Sequence, residues 1–125
     1  MSFAFWCILI AALLPYAWSI LSKLEGKYDN AQPRLHAKTG WRKRADWAQQ
    51  NAWEAFAPFA AAVLIAQSAH ATQATIDLLA GLFILFRLGH GVAYLANRPT
   101  LRSLAWTGGI LCVIGLFVAA GRATP

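Results

Sequence analysis

Two short strings place chemically capable side chains where such side chains are costly. Asn51-Ala-Trp-Glu54 and Arg87-Leu-Gly-His90-Gly-Val-Ala-Tyr94 each lie within an otherwise apolar stretch. A carboxylate or guanidinium at membrane depth costs roughly 3 kcal/mol on insertion scales, so these groups face a bundle interior or a wet cavity and mark functional sites by default. The spacing within each string sets its polar groups on one face of a helix. Arg98 and Arg102 follow shortly after Tyr94. Guanidinium groups beside a phenol in a partly dehydrated cleft suit a small anionic ligand. The same arrangement stabilises a thiolate or a developing oxyanion.

Four apolar segments position these strings: residues 3–22, 47–66, 76–96 and 103–120. Lengths of about 17–21 residues match a hydrocarbon core roughly 30 Å thick at 1.5 Å rise per residue. The 125-residue chain is 58% hydrophobic and only 13% charged, against about 25% charged for soluble domains. A soluble chain this small has too little interior to bury that much apolar surface. The sequence therefore predicts a single domain, an all-α integral membrane four-helix bundle. The second segment is the least apolar, consistent with one face lining a polar site. The first has neither a basic leader nor a small-x-small cleavage site, so it reads as a retained span.

The distribution of charge gives a direction. Of eleven Lys and Arg, seven lie between residues 23 and 46, and Arg98 and Arg102 lie in the connection 97–102. Arg87 is within a span, and only Arg122 falls on the other side. The positive-inside rule puts loops 23–46 and 97–102 in the cytoplasm and both termini outside. The net charge of +6 thus reflects topology, and no nucleic-acid partner is expected. Cys7 and Cys112 sit in apolar segments with no metal-ligand spacing, so neither a metal site nor a disulfide is expected.

Helix rise also sets depth. Glu54 lies about 12 Å in on a helix heading outward, and Arg87 about 13–14 Å in on one heading back. The two are predicted to meet as an ion pair, with Asn51 and His90 one turn shallower and Tyr94 one turn beyond. A plainer reading of the same residues is a structural pair that fixes helix register, with Asn51 and His90 as interhelical hydrogen-bonders.

With these residues in place, the chain resembles a bacterial-type member of the MAPEG family, membrane-associated proteins in eicosanoid and glutathione metabolism. The resemblance rests on Arg44, Asn51, Glu54 and Pro58-Phe59, then Arg87, His90, Val92-Ala93-Tyr94-Leu95 and Arg102-Ser103. It implies a homotrimer with sites between subunits that open to the cytoplasm and take glutathione as co-substrate. By that resemblance Asn51 and Glu54 contact the peptide, Arg87 supports Glu54 or a carboxylate, and His90 and Tyr94 line the site. Arg102 stands where an arginine is credited with stabilising the glutathione thiolate, and Ser103 where a serine is proposed to act on the thiol. One position departs: glutathione-using members often carry an arginine one turn before the Asn, and here that residue is Trp47. Arg44 or Lys23 is expected to compensate.

The leading expectation is a membrane-bound, glutathione-dependent transferase or peroxidase-like protein in a bacterial inner membrane, acting on a lipophilic electrophile that arrives from the bilayer. Two alternatives remain open. One is a non-catalytic lipid-binding or scaffold member of the same family. The other is a small proton-coupled transporter with Glu54 as its titrating carboxylate, against which a matched Arg87 argues by holding Glu54 ionised.

Overall fold

In a computed structural model describing residues 1–24, 29–33 and 38–123, four helices follow one another: α1 (Phe3–Lys23), α2 (Gly40–Ser68), α3 (Gln73–Leu95) and α4 (Pro99–Ala123). The loop residues Lys27, Arg34 and His36 lie outside the described residues. No strand occurs among those described. The predicted all-α class holds, and α1, α3 and α4 are each long and apolar enough to cross a membrane. α2 falls short of that standard by itself, because Asp46, Gln49, Gln50, Asn51 and Glu54 dilute its apolar residues.

The helices extend past the predicted spans at several ends. α2 begins at Gly40 instead of residue 47, so Arg42-Lys43-Arg44 continues the helix as a basic first turn. There Lys38 pairs with Asp46 at 3.0 Å. α4 begins at Pro99, where a proline costs nothing because the first helical N–H has no acceptor. This carries Arg102 into the first turn of α4 instead of the preceding loop. The α2–α3 and α3–α4 connections end their helices alike. Each uses a residue in the left-handed region, His70 (φ 58°) and Asn97 (φ 55°). The next N–H then reaches five residues back, from Ala71 to Ala66 O at 3.0 Å and from Arg98 to Ala93 O at 2.8 Å. These bonds satisfy carbonyls that the helix ends would otherwise leave open.

α2 and α3 form the centre, with α1 and α4 each packed against both. Among the described residues α1 and α4 do not meet. One core runs through Ala4, Cys7, Phe59, Val63, Ile76, Phe83, Cys112 and Leu116, and a smaller one joins Leu14, Trp18, Ala48 and Ala52. Two glycines permit the close approaches. A Cβ at Gly91 would overlap the Trp18 indole, and one at Gly108 would overlap the Phe86 ring. The side of α4 away from the core exposes Leu104, Leu111, Ile114, Phe117 and Val118, an apolar surface suited to lipid or to another membrane helix.

Candidate functional site

The two strings do come together, through a relay instead of a direct pair. Arg87, only 4% exposed, donates from Nη2 to Asn51 Oδ1 at 2.7 Å. Asn51 donates from Nδ2 to Glu54 Oε2 at 3.4 Å. No ion pair joins Glu54 to Arg87, which corrects the expectation from depth alone. Asn51 stands between them, one turn before Glu54 on the same helix face, and takes the guanidinium first. A charged donor on a neutral amide is a strong hydrogen bond, and it orients the Asn51 amide so that its N–H faces Glu54.

The relay opens onto a groove between α2, α3 and α4 with a cavity of about 180 Å³. Asn51, Glu54 and Arg87 form its polar end, and Pro58, Phe83, Trp106, Ile110 and Val113 supply most of the apolar lining. Phe83 is fixed from behind by Phe59, their rings stacked 3.9 Å apart and nearly parallel. Pro58 lacks the N–H that the Glu54 carbonyl would accept one turn back, so the helix loosens where Glu54 projects. Gly109 lines the groove opposite Arg87, and its missing side chain contributes to the open space. Trp106 and Gly109 are not among the candidate residues that the sequence singles out. Their place in the groove depends on how α4 is rotated, which helix period alone does not fix.

Beyond the relay, toward the end where α3 turns into α4, Tyr94 gathers a second group. The Arg102 guanidinium lies over the Tyr94 ring at 4.6 Å. The His90 ring meets Tyr94 edge-on at 5.5 Å, and Trp47 packs on it at 6.3 Å. Lys43 Nζ in turn lies 5.7 Å from the Trp47 ring. His90 is buried, and its Nδ1 has no hydrogen-bond partner.

Three predicted residues are placed elsewhere. Arg44 donates from Nε and Nη2 to the Leu95 carbonyl at 3.3 and 3.1 Å. It is thereby committed to the open C-terminus of α3, where a cation also meets the negative end of the helix dipole. Lys23 lines a separate polar basin between α1 and α2, with Ser19, Lys38, Lys43, Asp46, Gln49 and Gln50. Ser103 opens onto the outer surface of α4 with Pro99, Thr100, Leu104 and Thr107. Successive helical residues are rotated by about 100°, so Ser103 points away from the face that carries Arg102.

A further polar cluster escaped the sequence reading. Asp77 accepts the Ala4 N–H at 3.0 Å and the Gln73 side-chain amide at 2.9 Å, and Gln67 donates to Gln73 at 2.8 Å. The i, i+4 spacing of Gln73 and Asp77 was its one visible signal. Its role is structural: a carboxylate on a helix N-terminus satisfies an N–H that has no acceptor within the helix. Among the described residues no cluster of His, Cys, Asp and Glu has the makings of a metal site.

No curated protein and no solved structure matches the chain. The profile of the MAPEG family matches residues 3–122, nearly the whole chain. With three membrane-length helices around an Asn–Glu–Arg relay, this integral membrane protein belongs to the MAPEG family.

Proposed function

We propose that the protein is a glutathione-dependent transferase of the bacterial inner membrane, assembled as a homotrimer, which conjugates lipophilic electrophiles. The observation that carries this reading is the relay Arg87–Asn51–Glu54 ending on an exposed carboxylate in a groove with apolar walls. A polar face turned to lipid is unfavourable, so a neighbouring copy is needed to close it. That copy would also bring the Lys23 basin toward the groove, the one route by which Lys23 reaches a ligand held by Asn51. Four crossings, with both termini outside, follow from the basic connections.

In this reading Glu54 takes the ligand's ammonium, Asn51 its peptide groups, and Tyr94 a further hydrogen bond. Arg102 stabilises the thiolate as the thiol proton leaves to solvent. The thiolate sulfur then attacks the electrophilic carbon, forming a C–S bond while the leaving group departs with the bonding pair. The apolar wall from Pro58 to Val113 would hold the electrophile. Glutathione titration of the purified protein, with conjugation of an aryl halide followed in parallel, tests it. Saturable binding with release of halide supports the transferase, and no binding at millimolar glutathione rejects it.

One observation favours the scaffold alternative. Arg44 is held by Leu95 O and Trp47 replaces an arginine, so two cations expected for ligand carboxylates are missing from the groove. Binding without conjugation would select that reading. For transport, α2 and α3 offer no polar path beyond Glu54 among the described residues. From there to Ala66 on α2 and from Ala80 to Phe86 on α3, every residue is apolar or a glycine or proline.

A further inference from the structure

We propose that Trp47 is a positioning residue that acts through Tyr94 on Arg102. This rests on the reading of Arg102 as the cation that faces the ligand thiolate. Arg102 lies in the first turn of α4, and among the described residues its guanidinium makes neither a hydrogen bond nor an ion pair. Its partner is the face of the Tyr94 ring, 4.6 Å away. A long side chain held only by a ring is placed as well as the ring itself is placed, and much of its rotamer freedom remains otherwise.

Tyr94 is half-buried and is held by residues of three helices, α1, α2 and its own α3. His90, one turn back on α3, meets it edge-on, and the small core of Leu14, Trp18, Ala48 and Ala52 lies against it. The remaining ring neighbour is Trp47, from α2. Lys43, one turn before Trp47, closes the row, giving a sequence of cation, indole, phenol and cation that bridges α2, α3 and α4. Trp47 is 43% exposed, so its removal takes a prop from Tyr94 without emptying the core. An arginine at this position would offer a ligand a charge. A tryptophan instead spends its surface on fixing a neighbour, and the charge comes from Arg102.

The test compares Trp47→Ala, Trp47→Leu and Trp47→Phe in the detergent-solubilised full-length protein. The leucine variant fills the space without a ring and guards against a folding defect in the alanine variant. The first readout is the Arg102 Nε–H resonance in ¹⁵N-arginine-labelled protein without ligand, assigned by its loss in Arg102→Lys. A guanidinium over an aromatic ring is shielded. Trp47→Ala and Trp47→Leu are expected to move this signal toward its exposed position, and Trp47→Phe to restore it. The second readout is steady-state conjugation, where kcat is expected to fall about three- to tenfold with KM changed less than twofold. An unmoved Arg102 signal in folded Trp47→Leu overturns the proposal, as does a change in KM alone. If the signal moves while the wild-type protein conjugates nothing, the placement of Arg102 by Trp47 stands and the transferase reading fails.

Discussion

Two polar clusters bridge α2 and α3 at different levels of the bundle, and they are built differently. Near the termini, Asp77 takes the first-turn N–H of α1 and the Gln73 amide, and Gln67 extends the chain. That cluster ends within the subunit, with Gln67 Oε1 its one buried atom lacking a partner. Deeper toward the loops, Arg87 holds Asn51, Asn51 reaches Glu54, and Glu54 faces out into a groove. Both clusters contain a carboxylate in an apolar setting, which by residue type alone marks both as candidate sites. What separates them is where the hydrogen-bond chain stops. A chain that stops on main-chain N–H groups holds the fold, whereas one that stops on an exposed carboxylate leaves capacity for a ligand.

The comparison breaks most severely at Arg87. Arg87→Leu removes the charged donor and strands the Asn51 carbonyl oxygen, at a cost of roughly 2–3 kcal/mol. Thermal unfolding in detergent should fall accordingly, and glutathione binding should be lost with it. A wild-type melting curve and intact binding would mean that the relay organises nothing.

Arg102→Ala comes next and should separate binding from chemistry. A cation that favours the thiolate by about 1.4 kcal/mol shifts its pKa by one unit. Turnover is therefore expected to drop about tenfold near neutral pH, with glutathione affinity much less affected. Loss of the thiolate ultraviolet absorbance of the bound ligand is the direct check.

Asp77→Asn sharpens the contrast from the other side. The amide keeps an acceptor for the Ala4 N–H but loses its charge, so about 1 kcal/mol of stability should go. Binding and turnover should not change, and an altered KM would show that the terminal cluster communicates with the groove. The smallest effect is expected from Gly109→Ala. A Cβ there meets Arg87 Cδ at 3.7 Å and Phe83 at 3.8 Å, ordinary contact distances. Stability should stay within about 0.5 kcal/mol, while conjugation slows for bulky electrophiles more than for small ones.

These residues also show what the sequence makes legible. The four helices and the shared level of the two strings follow from apolar length, charge placement and helix rise. Depth and face are not enough to say which of two polar atoms a long side chain chooses, and Arg87 takes Asn51 where depth alone predicts Glu54. Nothing in a linear pattern shows that the Leu95 carbonyl lies within reach of Arg44. Ser103 is a different case. Adjacent residues on a helix diverge by about 100°, so its separation from Arg102 is legible in the period, whereas its pairing with Arg102 comes only from the family resemblance. Trp47 differs from the family pattern in the sequence, and its contact with Tyr94 appears only when α2 and α3 lie side by side.

The modest apolarity of α2 carries a consequence for how the chain is made. A ribosome delivers α1, then the basic loop, then the least apolar of the four helices. Ala48 and Ala52 of α2 pack on Leu14 and Trp18 of α1, a contact that can form as soon as both helices are made. Biogenesis should thus pair α2 with α1 before α3, and with it the Arg87 guanidinium that holds Asn51, has been synthesised.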